Sequence, residues 1–293
     1  MPSAESFNSR QSKIATLSRT YTDDEEYTKP SQFRVGAGGT NPTTESQDLG
    51  FIIPIEPGEV LDDIPNTTGW NINSTNEVGI NNTLTKTALS ALYIEKNDTT
   101  DANVVVDKTY SAFDFTDKEF WVFVYISSDM LSKLTSAGLT IRLRQDASNY
   151  YEYINAKSLL GSGWNEISFT SDDATVEGTP DIESLTSFYL SFETNDVDDV
   201  TGTNDFVIDN LKLITESNKV KNMITGFPNV SAATREAIFR GTLTSVQGVG
   251  YNVDRVGWYN TDEEPILWSV DRFPAESKGI ADEFNFIRRN IKP

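Results

Sequence analysis

Between Trp70 and Ile214 apolar and polar residues alternate in short runs, as in strands that turn one face to a core and the other to water. The alternation predicts eight strands: Ala88–Glu95, Val104–Tyr110, Phe120–Ile126, Leu139–Arg144, Tyr150–Asn155, Trp164–Phe169, Phe188–Glu193 and Phe206–Ile214. Turn clusters separate them, among them Asp146-Ala147-Ser148-Asn149, Gly161-Ser162-Gly163 and Asn204-Asp205. Short strands at this spacing indicate an antiparallel β-sandwich. Only Ser128–Leu134 reads as a helix, with Ser128 or Asp129 as its cap. In the strand 120–126, Phe120, Val122, Val124 and Ile126 share one side, opposite Trp121, Phe123 and Tyr125. Leu139, Ile141 and Leu143 likewise oppose Thr140, Arg142 and Arg144, and Phe188, Leu190 and Phe192 oppose Tyr189, Ser191 and Glu193. The wholly apolar side is the expected core.

The flanks break this pattern. Residues 1–60 lack useful periodicity: Tyr21-Thr22-Asp23-Asp24-Glu25-Glu26-Tyr27-Thr28-Lys29-Pro30 is polar, and Gly36-Ala37-Gly38-Gly39 supports no regular element. Only Phe51-Ile52-Ile53-Pro54-Ile55 is apolar. This stretch reads as an extended N-terminal arm that orders only against a neighbour. Beyond Ile214, Ser231–Arg240 reads as a short helix capped by Ser231. Pro274–Asn290 reads as another, with Ile280, Phe284 and Ile287 on one face. The expected division is an arm over 1–60, a sandwich over 61–215 and a small mixed C-terminal docking segment over 216–293.

Composition narrows the chemistry. The 293 residues include no Cys and no His, which excludes Ser–His and Cys–His nucleophiles, conventional zinc, haem and iron–sulfur ligation, and disulfides. Hydrolysis by paired carboxylates stays open, yet among 44 acidic residues no pair stands out, and there is no Gly-rich phosphate loop. The expectation is a non-enzymatic protein with no catalytic residues. The acidic excess is concentrated in residues 61–215, which carry 9 basic and 25 acidic side chains, whereas 216–293 carry 10 of each. Such a surface repels nucleic acid and anionic membranes, so neither is expected as a partner. The opening Met1-Pro2-Ser3-Ala4-Glu5-Ser6 has neither the basic nor the apolar part of a signal peptide. No apolar run reaches the roughly 18–20 residues of a membrane span. The sequons at Asn66, Asn73, Asn81, Asn97 and Asn229 follow from the Asn/Thr-rich composition.

Several segments of the sandwich resemble a known group of domains. Trp70 follows Thr67-Thr68-Gly69, and the central strand is Phe120-Trp121-Val122-Phe123-Val124-Tyr125-Ile126. A hairpin runs through Asn149-Tyr150-Tyr151-Glu152-Tyr153, then comes Gly163-Trp164-Asn165-Glu166-Ile167, and the last strand is Phe206-Val207-Ile208-Asp209-Asn210-Leu211-Lys212-Leu213. In this order they resemble jelly-roll carbohydrate-binding modules and related galactose-binding-like domains, over roughly half the chain. An arm, one sandwich and an aromatic C-terminal segment without His or Cys also resemble, in general style, a tailed-phage virion protein.

Two sets of site residues follow within the sandwich. Trp121, Tyr125, Arg142, Arg144, Tyr189 and Glu193 lie on the non-core sides of their strands, and aromatic platforms beside charged groups suit sugar recognition. The competing reading is a second packing surface covered by the arm or a partner. The resemblance further implies a structural Ca²⁺ held by Asp209 together with oxygens near the first strand, where Asp62 and Asp63 lie. Against it stands a purely local role, with Asp209 accepting from a turn or a backbone amide. Asp196, Asp198 and Asp199 read as solvated. No other cofactor is expected.

Phe284, Phe286, Ile287, Arg288 and Arg289 are the expected assembly anchor. The leading expectation is a structural component of a phage virion, assembled in the host cytoplasm. It would stand among other virion proteins as a multi-copy symmetric particle component, with the sandwich displayed outward. The alternative is a carbohydrate-binding or adhesion module for a cell-surface polysaccharide.

Overall fold

The structure, a computed structural model, describes residues 4–5, 32–37, 51–87, 90–97, 102–195, 205–219, 221–222, 229–231, 236–244, 247–249, 251–259, 267–277 and 283–291. The N-terminal part contributes β1 (Ala4–Glu5), β2 (Gln32–Ala37) and β3 (Phe51–Ile52). Next come β4 (Glu59–Asp62), β5 (Trp70–Ile72), β6 (Glu77–Asn81), β7 (Ala91–Glu95), β8 (Asn103–Phe113) and β9 (Glu119–Ile126). After helix α1 (Ser128–Lys133) follow β10 (Leu134–Arg144), β11 (Tyr150–Asn155), β12 (Gly163–Thr170), β13 (Thr175–Glu177), β14 (Leu185–Thr194) and β15 (Phe206–Ile214). The C-terminal part adds β16 (Lys221–Asn222), β17 (Asn229–Ser231), β18 (Glu236–Leu243), β19 (Asn252–Tyr259), β20 (Leu267–Ser277) and β21 (Phe284–Ile291). The chain divides into two compact units, Gly58–Thr215 and the pair Met1–Pro57 with Glu216–Pro293.

Gly58–Thr215 is a jelly-roll β-sandwich. Its first sheet has the order β13-β11-β10-β14-β8-β5 and its second β12-β9-β15-β7-β6, with β4 also on β15. Alternation places the expected core where it belongs: Phe120, Val122, Val124, Ile126, Leu139, Ile141, Leu143, Phe188, Leu190 and Phe192 are all buried in one cluster between the sheets. Phe192 of the first sheet stacks on Phe206 of the second at 3.6 Å, and Phe188 on Phe120 at 5.7 Å. Helix α1 starts one residue earlier than the capping pattern predicts, because the Ser127 hydroxyl accepts from the Met130 amide at 3.2 Å.

One edge of the sandwich is held by a polar link between sheets. Asp62 of β4 is 6% exposed; its Oδ2 accepts from Lys108 Nζ of β8 at 2.6 Å and from the Tyr110 hydroxyl at 3.2 Å. Its Oδ1 accepts from the Ile64 amide at 2.8 Å, and Ile64 has a φ of 52°, a left-handed conformation that a β-branched residue adopts only under constraint. The Ile64 carbonyl accepts from Ser90 Oγ at 2.8 Å. Asn residues of the sequon motifs act similarly: Asn73 Oδ1 accepts from the Val105 amide, and Asn81 Oδ1 from those of Thr83 and Leu84.

The flanks differ from the sequence expectation. Where they are described, residues 1–60 and 216–293 are not a free arm and a separate docking segment. In the sheet β1-β20-β19-β2-β16, β2 from the N-terminal part pairs with β19 on one side and β16 on the other. Phe33, Val35, Ile53 and Ile55 share a buried core with Val253, Val256 and Trp258. Phe33 meets Trp258 at 6.1 Å and Phe286 at 5.9 Å, and a Cβ on Gly241 would lie 2.7 Å from its ring. The helices expected at Ser231–Arg240 and Pro274–Asn290 are, over the described residues, strands β17, β18, β20 and β21. β18 and β21 pair from Glu236↔Ile291 to Leu243↔Phe284. The spacing of Phe284 and Ile287 fits a helix, but Phe284 and Phe286 fit a strand equally, and the pairing partner decides. Tyr21–Pro30, Gly38, Gly39 and Ile280 lie outside the described residues.

Candidate functional site

The six expected glycan-binding residues divide between the two sheets. Trp121 and Tyr125 belong to β9 of the second sheet, whereas Arg142, Arg144, Tyr189 and Glu193 belong to β10 and β14 of the first. Because both sheets pack inward on one core, these outward sides form opposite faces of the sandwich. Alternation tells which side of its own strand a residue occupies, but not which sheet the strand joins.

The outer face of the first sheet carries the denser set of interacting polar and aromatic groups. A turn fixes it: Asp146 Oδ1 accepts from the amides of Ser148 and Asn149 at 2.8 and 3.0 Å, and the Asn149 side chain pulls the Asp146 pKa down. The resulting hairpin sets Arg144 opposite Tyr150 and Arg142 opposite Glu152. On the other side of β10, Arg142 stands opposite Tyr189, which stands opposite Asp107, itself opposite Asn71. A single cross-strand row therefore runs Thr175, Glu152, Arg142, Tyr189, Asp107, Asn71. At about 4.8 Å per strand, it extends about 19 Å from β11 to β5.

Stacking and hydrogen bonds hold these groups in place. The Arg142 guanidinium lies 4.6 Å from the Tyr150 ring centroid and 5.0 Å from that of Tyr189, while its Nε donates to Glu152 Oε2 at 2.6 Å. Arg144 lies 3.7 Å from the Tyr189 ring. Its Nε is shielded from water without a hydrogen-bond partner, and burial draws its pKa down. Asn71 Nδ2 donates to Asp107 Oδ2 at 3.4 Å, and Glu193, farther along β14, accepts from Thr135 Oγ1 at 3.2 Å. Tyr150, Glu152, Asp107 and Asn71 are absent from the sequence-derived set. The alternation of 150–155 and a tight hairpin at Asp146–Asn149 would have placed the first two beside the arginines.

The outer side of β9 and β15 in the second sheet is largely closed. Trp121 is 1% and Phe123 2% exposed, and the Lys86 ammonium lies 5.9 Å above the Phe123 ring. Tyr125 meets Trp164 edge-on at 5.6 Å. Lys212, 5% exposed, is pulled down to about 8 by burial, against the opposing pull of Glu166 and Asp209.

Asp209 also lies on this side, fully buried; its Oδ2 accepts from the amides of Lys86 and Thr87 at 2.6 and 2.9 Å, and its Oδ1 from Thr87 Oγ1 at 3.3 Å. The carboxylate thereby anchors the loop that follows β6. Asp63, just past β4, is exposed, and among the described residues no three or more acidic side chains converge as a metal cluster. Asp196, Asp198 and Asp199 lie outside the described residues. Asp209→Asn is expected to cost about 1.5–3 kcal/mol through weakened charge-assisted hydrogen bonds, equally in calcium and in chelator. A wild-type melting temperature that rises with millimolar Ca²⁺ and stays flat in the variant would return Asp209 to a metal role.

The expected anchor residues turn inward where they are described. Phe286 is 8% exposed and packs on Phe33, and Phe284 packs on Phe286 at 6.5 Å. The side chains of Ile287, Arg288 and Arg289 lie outside the described residues.

No protein-family model matches the chain, and no curated protein matches it. Among solved structures it is similar to a family 11 carbohydrate-binding module from Clostridium thermocellum in complex with a β-1,3-1,4-mixed-linked tetrasaccharide. That match has 17% identity and a TM-score of 0.39, and covers 54% of this chain and 95% of the other. It is similar to the CBM22-1 xylan-binding domain from Paenibacillus barcinonensis Xyn10C at 13% identity, covering 55% and 97% of the two chains with a TM-score of 0.32. An arabinose-bound GH51 α-L-arabinofuranosidase matches at 11% identity over 56% of this chain and 27% of that one, with a TM-score of 0.36. Matches this distant transfer no ligand to this chain, whose jelly-roll sandwich is established by its own strand order and core.

Proposed function

We propose that the sandwich is a non-catalytic carbohydrate-binding module whose ligand, an extended glycan chain, lies across the outer face of the first sheet. The observation that carries this reading is the cross-strand row Glu152, Arg142, Tyr189, Asp107, Asn71, with Tyr150 and Arg144 stacked beside it. A sugar ring offers weakly polar C–H faces and a rim of hydroxyls, so it is recognised by aromatic and guanidinium planes set among fixed donors and acceptors. The row supplies both, and its length across five strands suits several sugar units in succession. The virion reading draws no comparable support: Phe284 and Phe286 pack within their own unit.

Binding to an array of plant, bacterial and algal oligosaccharides, followed by calorimetry on the hits, tests the proposal. Tyr189→Ala is expected to weaken binding roughly tenfold or more, since the face loses an aromatic platform, Arg144 loses its ring and Arg142 loses one of its two. Trp121→Phe, on the opposite face, is expected to leave affinity unchanged. Absence of binding to every glycan, or equal effects of the two substitutions, would defeat the proposal.

A further inference from the structure

We propose, building on the glycan-binding reading, that the ligand carries a carboxylate, as in a uronic-acid-containing glycan, and that Arg144 is the group that receives it. The two arginines of the face are in different electrostatic states. Arg142 is neutralised by Glu152 at 2.6 Å and sits between two tyrosine rings. Arg144 has the Tyr189 ring at 3.7 Å and no hydrogen bond or ion pair to any described residue. Its partly desolvated cation lies against a π face, Asp107 acts on it without forming an ion pair, and its buried Nε–H has no acceptor among the described residues.

A carboxylate is the complement of the guanidinium fork. It accepts two parallel hydrogen bonds from a guanidinium and supplies the missing countercharge, whereas a hydroxyl supplies at most one acceptor site and no charge. Stacking on Tyr189 fixes the guanidinium plane, so little side-chain freedom remains to be lost on binding. Asp107 lies close enough to bias Arg144 electrostatically, and the sandwich is acidic as a whole. These charges disfavour a densely anionic polymer and favour isolated carboxylates on an otherwise neutral chain, since repulsion from distant charges is screened within about 8–10 Å.

The test uses the full chain with oligosaccharides of glucuronoxylan, alginate and galacturonan, each before and after carboxyl reduction, beside neutral xylan, mixed-linked glucan and mannan. At least one acidic oligosaccharide is expected to bind roughly tenfold or more tightly than its carboxyl-reduced form. Arg144→Met should erase that difference, so that the acidic and reduced forms bind the variant with equal affinity. Arg144→Lys, which keeps the charge but not the fork, should retain part of it. Unchanged melting temperatures verify that the variants fold, and Arg144→Gln serves if the Met variant does not. Equal affinity for acidic and reduced forms, or a preference that survives Arg144→Met and Arg144→Gln, would overturn the inference. If neutral glycans bind and Tyr189→Ala abolishes that binding, the module reading survives alone. If nothing binds, both fall.

Discussion

Asp62→Ala is expected to lower the stability of the sandwich by about 3–5 kcal/mol, a drop of roughly 6–20 °C in melting temperature for a domain of this size. The substitution leaves the Lys108 ammonium, 16% exposed at the side chain and wedged near Trp70 and Tyr110, without its carboxylate. It also removes the acceptor that holds the Ile64 amide, so a left-handed β-branched residue loses one of its constraints. Asp62→Ala combined with Lys108→Met should recover part of the loss, because the uncompensated charge is then gone. Glu59→Ala is the control: its ion pair with Lys118 has a half-exposed carboxylate and contributes at most about 1 kcal/mol. A melting temperature for Asp62→Ala within the range of that control would refute the assignment of the cross-sheet link.

Deleting residues 1–57 is expected to leave residues 216–293 without a folded core, while a fragment of residues 58–215 unfolds cooperatively on its own. The missing strand β2 pairs along β19 from Gln32↔Tyr259 to Gly36↔Arg255 and supplies Phe33 and Val35 to the core. Phe33→Ala is the milder version, costing about 3–5 kcal/mol in that unit. Hydrogen exchange at the amides of Asn252–Tyr259 reads the outcome directly. Strong protection there after the deletion would mean that the C-terminal part folds without the arm. A 58–215 fragment that binds hydrophobic dyes and lacks a cooperative transition would mean that the sandwich needs more than its own core.

How much of this was legible in the sequence depends on the range of the interaction. In the strands around Phe120–Ile126, Leu139–Arg144 and Phe188–Glu193, each side chain's side is settled by its neighbours two residues away, and the predicted core is the observed core. The pairing of Gln32–Ala37 with Asn252–Tyr259 joins segments far apart in the chain, and neither segment has enough apolar residues to announce a core alone. The candidate site shows both regimes. The outward placement of Arg142, Arg144 and Tyr189 follows from alternation, yet their separation from Trp121 and Tyr125 depends on sheet membership, which only the global topology sets. Asp209 shows a third limit: whether a buried carboxylate takes backbone amides or a cation depends on where a loop 122 residues away passes.

The pairing of β4 with β15 bears on how the molecule is made. Glu59 stands opposite Leu213, so the sandwich begins and ends on adjacent strands. During synthesis the N-terminal 57 residues emerge with Phe33 and Val35 lacking their partners on β19, and Gly58–Thr215 must be completed before β19 exists. At the usual pace of translation this interval is on the order of 10–30 seconds, long beside the folding time of a small β domain. Once folded, the sandwich replaces a loop of about 160 residues by the short gap between two hydrogen-bonded neighbours, and the entropic cost of uniting the chain ends falls accordingly. The module therefore acts as a clasp in its own assembly line, and its early folding sets when the terminal segments can find each other.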